Sequence, residues 1–251
     1  MKRGMYFYLQ LAFTLLVCAF LIVPVFMSIT AGLTNNYFVG IKSGFTFRWI
    51  IQVWGLYSDT IWLTMKIALV TTLINLCAGV HCAYYLARTR SKFSAFLDEC
   101  LTLPIAIPGM AIALGLISVY GGFSDFRMSW LFILVGHVIF TLPFMVKSVL
   151  AVLQSINFRL LEEGFFHVIV PNCKTGIVSG ILMTLTLSAG EFNLTWMLHT
   201  PITKTLPVGL ADSYASMRLE VSSAYTLIFL GMILPLLIAA QWLNRKPKRP
   251  A

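Results

Sequence analysis

Six long apolar stretches, separated by short polar or Gly/Pro-marked segments, dominate the hydropathy pattern of the chain. They cover approximately 6–31, 60–86, 97–119, 129–152, 174–198 and 222–243. Each is long enough for a transmembrane helix, which needs about 20 mostly apolar residues to cross about 30 Å of hydrocarbon. The pattern predicts an all-α, polytopic membrane protein of six transmembrane helices, forming a single transmembrane domain over residues 1–251.

Composition supports a membrane location. Hydrophobic residues make up 59% of the chain and charged residues 11%, and the mean hydropathy is +0.86. A soluble domain of ordinary composition carries far more charge. The first apolar stretch is too long for a cleaved signal peptide and lacks a clear small-residue cleavage site, so it is interpreted as a retained first helix.

The distribution of Lys and Arg predicts the orientation. With both termini in the cytosol, twelve of the 18 basic residues fall inside and five outside, and Lys66 lies within a span. Such an excess marks cytosolic segments. The basic tail over 244–249 is then interpreted as an anchor at the anionic cytoplasmic leaflet. Nucleic acid is not expected as a partner, because the sequence contains no basic domain that would bind it.

The sequence offers no constellation for catalysis or metal binding. It contains neither a G-x-S-x-G nor an H-E-x-x-H motif. The four histidines lie in different segments, and no pair of the five cysteines has zinc-site spacing with histidine neighbours. Asp98 and Glu99 are adjacent, so on a helix their side chains point about 100° apart. The chain is therefore predicted not to be an enzyme and to hold no metal or cofactor.

The third apolar stretch contains Pro104, Pro108 and Gly109. Proline removes a backbone hydrogen bond and kinks or interrupts a helix. Within a membrane, freed backbone groups are tolerated only where they face protein or a water-filled cavity. Two interpretations stay open: a packing kink, or a bend that shapes a solute pathway or its gate.

Glu191 is the lone carboxylate near the far end of the fifth stretch, with Gly190, Asn193 and Thr195 adding small and polar side chains nearby. An ionisable group inside a span is costly and marks a functional site or a buried pair. Glu191 lies on a translocation route, or it is solvated near the outer interface or paired with a basic group such as Lys204. The sequence leaves these alternatives open, and Asn193 shares the candidate pathway role.

A series of short motifs over about 45–241 resembles the permease subunits of bacterial ATP-binding-cassette (ABC) importers. The motifs are weak singly and fairly specific in this order. They are WLTMKIALVTTL (62–73), AYYLAR (83–88), LPIAIPG (103–109), LPF (142–144), LEE (161–163), VP (170–171), GEF (190–192) and TLPVG (205–209).

This resemblance implies a type I importer permease fold and a mechanism. Two permease subunits, identical or paralogous, surround one pathway in the bacterial cytoplasmic (inner) membrane. An extracytoplasmic solute-binding protein delivers the solute, and a separate ABC ATPase subunit hydrolyses ATP. A cytosolic coupling helix of the permease docks on the ATPase, so that ATP binding switches the pathway between inward-facing and outward-facing states. The permease core is then about 55–241 and the coupling-loop region about 153–173.

The coupling loop departs from the family pattern. The resemblance carries Glu162, Glu163, Gly164 and Pro171 onto its motif, but Pro171 follows Glu162 by only nine residues. About ten residues of the family's loop are absent, equivalent to about 15 Å of helix.

Three accounts of the short loop compete. It is a working coupler with Phe165 and Phe166 as apolar docking residues, or a full-length partner permease does most of the coupling, or the chain is a coupling-defective copy.

The GEF and TLPVG segments look most similar to permeases for polyamines, 2-aminoethylphosphonate, ferric iron and thiamine. The resemblance therefore implies a phosphonate or polyamine as solute. A rival interpretation is an ATP-independent secondary transporter or channel. Such proteins usually have more spans or an internal repeat, and the sequence shows neither. A second rival is a membrane scaffold that transports nothing.

Overall fold

Helices form nearly all of the regular structure. The computed structural model describes residues 4–89, 91–155, 165 and 169–243. Its helices are α1 (Met5–Gly32), α2 (Arg48–Arg88), α3 (Lys92–Ala106), α4 (Gly109–Tyr120), α5 (Ser124–Met128), α6 (Trp130–Leu153), α7 (Val170–Asn172), α8 (Lys174–Gly190), α9 (Asn193–Leu198), α10 (Leu206–Ala215) and α11 (Leu219–Leu243). A 3₁₀ turn covers Gly40–Ser43. Within these ranges the only β pairing is an isolated bridge between Thr34 and Phe45, so the all-α prediction is confirmed.

Four of the described helices are long and apolar enough to cross a membrane. They are α1, α2, α6 and the part of α11 over Leu219–Ala239, and α3 with α4 makes a fifth if the bent pair counts as one span. A multi-pass membrane protein is therefore supported. The total of six transmembrane helices and the cytosolic position of both termini remain predictions.

Two of the predicted spans are interrupted. In the third, α3 and α4 meet at an angle of 107°, with Ile107 and Pro108 extended between them. In the fifth, the prediction of one continuous helix over 174–198 is wrong, because α8 ends after 17 residues at Gly190. Glu191 has an extended backbone (φ −71°, ψ 122°), and a new helix starts at Asn193. The hydropathy pattern does not register this break because both sides of it are apolar.

The chain divides into two compact units, and one comprises 1–58 and 210–230. In this smaller unit the Trp49 indole N–H donates to the carbonyl oxygen of Thr34 at 2.9 Å. The backbone N–H of Tyr37 donates to Glu220 Oε1, also at 2.9 Å. Most side chains of α1 are exposed and apolar, as expected of a helix that faces lipid. The single transmembrane domain stays a prediction.

The larger unit comprises 59–209 and 231–251, and α6 is its central element. It packs against α3, α4, α8 and α9. One buried cluster joins Val80 of α2 to Met145 and Val149 of α6. A second joins Ile67, Phe132 and Leu194, which lie on α2, α6 and α9. This packing holds α8 and α9, on either side of the break, against the same helix.

The crossing of α8 over α6 depends on Gly176. A β-carbon added there would lie 2.7 Å from the carbonyl oxygen of Ser148 and 2.9 Å from a methyl group of Val152. Small residues permit such close approaches between membrane helices. We expect Gly176→Ala to destabilise the fold by about 1–3 kcal/mol, because backbone must move to accept the methyl group. Thermal unfolding of the purified protein measures this.

Gly115→Ala is the matched control for that substitution. Gly115 lies inside α4, and a β-carbon there would meet nothing within 4 Å. Alanine is the better helix former by about 0.5–1 kcal/mol, so this variant should unfold at the wild-type temperature or above it. An equal loss of stability in both variants would contradict the close crossing.

Candidate functional site

The two interrupted helices meet inside the larger unit. We call the polar group at this point the Glu191 cluster, defined as Gly109, His137, Ser188, Glu191 and Thr195. Its members come from the start of α4, the middle of α6, the end of α8, the break and the start of α9. The side chains of His137, Ser188, Glu191 and Thr195 are all buried. The cluster is therefore a polar centre within an apolar part of the fold.

The carboxylate of Glu191 caps α9. Its Oε1 accepts the backbone N–H of Leu194 at 2.9 Å, and its Oε2 accepts that of Thr195 at 2.9 Å. The Thr195 hydroxyl donates to Oε2 at 3.1 Å. A carboxylate at a helix N-terminus satisfies N–H groups that lack intrahelical partners, and the helix dipole favours its charge. Since Glu191 is only 8% exposed, it is not solvated at the surface of this chain.

The bend between α3 and α4 lies beside this cap. A β-carbon on Gly109 would lie 3.3 Å from Glu191 Oε1 and 3.3 Å from the β-carbon of Leu194. Glycine at the first position of α4 thus lets the bend approach the carboxylate. Two residues singled out separately in the sequence, Gly109 and Glu191, are neighbours in the structure.

The other residues predicted near the pathway lie around this contact. Pro108 is the N-cap of α4, and its carbonyl oxygen accepts the N–H of Ala111 at 2.8 Å. Pro104 lies inside α3. Asn193 is the first residue of α9 and is exposed. The structure places these residues, and their role in a pathway stays a prediction.

Sequence reasoning missed His137, which joins the helices of the cluster. The side chain is 1% exposed. Its Nδ1 lies 2.8 Å from Ser188 Oγ and its Nε2 lies 2.7 Å from Thr195 Oγ1. The roles of the two ring nitrogens depend on the tautomer: when the Thr195 hydroxyl donates its proton to Glu191 Oε2, Thr195 Oγ1 accepts from Nε2–H and the Ser188 hydroxyl donates to Nδ1.

The hydrogen bonds continue from His137 to α2. The Thr141 hydroxyl donates to the His137 carbonyl oxygen at 2.7 Å, and Asn75 Nδ2 donates to Thr141 Oγ1 at 2.8 Å. One buried chain of bonds therefore connects α2, α6, α8 and α9. The sequence did contain a signal for His137. Like a lone carboxylate, a lone imidazole in an apolar span is an ionisable group that is costly to bury and marks a candidate functional site.

The coupling-loop candidates are only partly described. Glu162, Glu163, Gly164 and Phe166 lie outside the described residues. Pro171 is exposed in the short helix α7.

Phe165 is partly buried against the cluster around Val80 and Met145. Its ring stacks on His81 with centroids 4.7 Å apart, and its centroid lies 5.1 Å from that of Tyr84. The structure thus shows Phe165 in contact with α2, and its predicted docking on an ATPase stays a prediction.

Charges are sparse in the part of the chain that the structure describes. The ion pair recorded there joins Lys147 Nζ to Asp98 Oδ1 at 2.7 Å. Within the same residues, no three His, Cys, Asp or Glu side chains converge to hold a metal ion. Lys66 places its ammonium 3.8 Å from the centre of the Trp130 ring, a cation–π contact at the first residue of α6.

Comparison with known proteins supports the resemblance to importer permeases. No protein-family model matches the chain. It is 27% identical to the molybdenum transport system permease protein ModB of Azotobacter vinelandii over 181 residues, which is 62% of this chain and 80% of that protein. It is 29% identical to the molybdate/tungstate transport system permease protein WtpB of Methanocaldococcus jannaschii over 189 residues, 68% of this chain and 74% of that protein.

A third relative covers almost the whole chain. A putative 2-aminoethylphosphonate transport system permease protein, PhnV of Salmonella choleraesuis, is 23% identical over 250 residues, 93% of this chain and 94% of that protein. These homologues are permeases of ABC transport systems. The resemblance to permeases of binding-protein-dependent ABC importers is therefore confirmed.

Proposed function

We propose that the chain forms half of the solute pathway of an ABC importer in the bacterial cytoplasmic membrane. A second permease subunit, identical or paralogous, supplies the other half. A separate ATPase subunit hydrolyses the ATP, and a solute-binding protein delivers the solute. Homologous permeases that align with 62–93% of the chain support this role.

The meeting of two interrupted helices at Gly109 and Glu191 is the observation that carries the pathway proposal. Irregular backbone at membrane depth is tolerated where it faces protein or lines a cavity. Transporters commonly build solute sites from interrupted helices. Exposed positions near this contact include Pro108 and Asn193, and we place these two toward the pathway.

We further propose that the solute is a tetrahedral oxyanion. The names of two of these relatives mention molybdate/tungstate and 2-aminoethylphosphonate, which share tetrahedral oxyanion chemistry. Of the two solutes that the sequence implied, a polyamine would need free carboxylates along its route. Both oxygens of Glu191 already accept N–H groups of α9, which favours the phosphonate.

The coupling loop is proposed to act on the ATPase in spite of its length, with a longer loop in the partner permease contributing. Phe165 connects it to α2 through His81 and Tyr84. A movement of the loop would therefore reach the helix that also carries Asn75, the outer member of the buried hydrogen-bond chain.

Reconstitution in liposomes tests the function. The chain is co-purified with the ATPase, second permease subunit and binding protein that the proposal requires, and uptake of labelled 2-aminoethylphosphonate, sulfate, molybdate and putrescine is measured. We expect one oxyanion to accumulate only when both ATP and the binding protein are present, and putrescine to stay outside.

Other results would contradict the proposal in distinguishable ways. Uptake without ATP would indicate a secondary transporter or channel. An assembled complex that hydrolyses ATP and moves no solute would indicate a coupling-defective copy. ATP-dependent uptake of putrescine would retain the importer and overturn the oxyanion assignment.

A further inference from the structure

We propose that residues 33–57, between the end of α1 and a kink in α2, lie in the headgroup region of the bilayer and bind its phospholipid surface. The segment exposes large apolar side chains, which we call the interfacial surface. They are Phe38, Ile41, Phe45, Phe47, Ile51 and Trp54, each at least 53% exposed. This contact with lipid does not depend on which solute the protein transports.

The length of α1 places the start of this segment at a membrane surface. The helix has 28 residues, which reach about 42 Å at 1.5 Å per residue. A bilayer with its headgroup regions is about 40–45 Å thick. The apolar stretch of α1 that would cross it has no buried side chain, so lipid surrounds this helix. The segment that follows Gly32 therefore begins among the headgroups.

The length of α2 leads to the same position from the other end of the segment. This helix has 41 residues and a non-helical residue, Tyr57, with φ −133° and ψ 17°. Residues 58–88 alone reach about 46 Å, which is enough to cross the bilayer. The first turns of α2, over 48–56, are therefore not needed for the crossing and are free to lie at the interface.

The loop between the two helices has a defined conformation, so the exposure of its apolar side chains is a property of the fold. The side-chain oxygen of Asn36 accepts the N–H of Phe38 at 2.9 Å. Thr34 pairs with Phe45 in the isolated β-bridge. Gly44 has a φ of +89°, a region that favours glycine. These interactions hold the loop while Phe38 remains 82% exposed.

The start of α2 turns an apolar face outward. The N–H of Ile51 donates to the carbonyl oxygen of Phe47 at 3.0 Å, so Phe47 belongs to the helical register. Phe47, Ile51 and Trp54 are spaced by four and three residues and therefore share one face. A helix at an aqueous surface would turn polar residues outward. An outward apolar face is typical of a helix that lies in a membrane interface.

Charge distinguishes phospholipid from an ordinary apolar partner. The segment contains Lys42 and Arg48, and no Asp or Glu occurs in the chain before Asp59. The Arg48 guanidinium lies 5.1 Å from the centre of the Trp49 ring. Basic groups complement lipid phosphates, and aromatic side chains are enriched at the boundary between headgroups and acyl chains. Together with the continuity from the lipid-facing α1, this composition favours a lipid surface over a protein.

Nitroxide accessibility in liposomes tests the proposal on the full-length chain. The five native cysteines are replaced by alanine, and labels are attached to Phe38→Cys, Ile51→Cys and Trp54→Cys. We expect each label to be more accessible to oxygen, which concentrates in lipid, than to a water-soluble nickel chelate. Phe20→Cys in α1 is the lipid reference, because Phe20 is 77% exposed on a helix surrounded by lipid.

Ile202→Cys is the matched control outside the interfacial surface. Ile202 is also 77% exposed and lies in a turn among threonines and a lysine, so its label should respond more to nickel. The same nickel preference at positions 38, 51 and 54 would overturn the proposal, since the segment would then face water. Low accessibility to both reagents at these positions would also overturn it, since a protein would then cover the surface.

Photocrosslinking in cell membranes gives a second measurement that leaves the cysteines intact and stays decisive if the cysteine-free protein does not fold. Benzoylphenylalanine replaces Phe38 or Phe47, the membranes are irradiated, and the intact mass of the purified chain is measured. We expect a gain of one phospholipid mass, as for the same replacement of Phe20. Crosslinks to a second copy of the chain or to another protein, without a lipid adduct, would assign the surface to a protein partner and overturn the proposal.

Discussion

Glu191→Ala is expected to destabilise the protein by about 2–4 kcal/mol. The substitution removes both acceptors of the Leu194 and Thr195 N–H groups, in a site where Glu191 is 8% exposed. Hydrogen bonds to a charged group contribute about 1.5–3 kcal/mol each, and donors left buried without acceptors are costly. Thermal unfolding in detergent measures the loss, and ATP-dependent uptake should fall with it.

Two companion variants separate a capping role from a role in the pathway. Glu191→Gln retains one oxygen as an acceptor, so it should lose less stability than the alanine variant. Glu99→Ala removes an exposed carboxylate and should change stability by less than about 0.5 kcal/mol. A glutamine variant of wild-type stability without uptake would place Glu191 on the solute route. Wild-type stability in Glu191→Ala would contradict the cap.

The membrane location and the helical fold could be predicted because they depend on local composition. A run such as 129–152 is apolar whatever surrounds it, and α6 covers Trp130–Leu153. The bend in the third stretch was also predictable, since proline acts on its own helix. Pro108 lies at the bend, whereas Pro104 is accommodated inside α3.

The break at Glu191 could not be predicted from hydropathy. At the break, the Glu191 side chain accepts backbone N–H groups that would bond to backbone carbonyl oxygens in a continuous helix. The sequence around it is apolar on both sides, and only the three-dimensional path shows the carboxylate turned onto Leu194 and Thr195. The approach of Gly109 is likewise a contact between residues 82 positions apart. Contacts between residues so far apart along the chain leave no periodic pattern in the sequence.

The role of His137 was missed for the same reason. Its partners Ser188 and Thr195 lie 51 and 58 residues away, and each is an ordinary hydroxyl residue in an apolar segment. Scattered histidines gave no metal or catalytic pattern. Their different burial, from the exposed His81 to His137 at 1% exposed, appears only in the folded chain.

His137→Ala is expected to cost about 3–5 kcal/mol of stability. It empties a fully packed site between helices and leaves the Ser188 and Thr195 hydroxyls without their imidazole partner. His81→Ala is the control, because His81 is exposed and its loss should cost less than about 1 kcal/mol. Equal destabilisation by the two substitutions would contradict the role of His137 as the joint of the buried network.

A double-mutant cycle tests whether His137 and Glu191 act as one unit. Both residues form a hydrogen bond with Thr195 Oγ1. His137 does so through Nε2 at 2.7 Å, and Glu191 through Oε2 at 3.1 Å. Groups that share a partner show interaction energies of about 0.5–3 kcal/mol. We expect His137→Ala with Glu191→Gln to destabilise by less than the sum of the single variants, because Thr195 loses its fixed orientation once. Additive losses would mean that the cap of α9 and the junction with α6 are independent, and that α9 is held by packing rather than by this chain of hydrogen bonds.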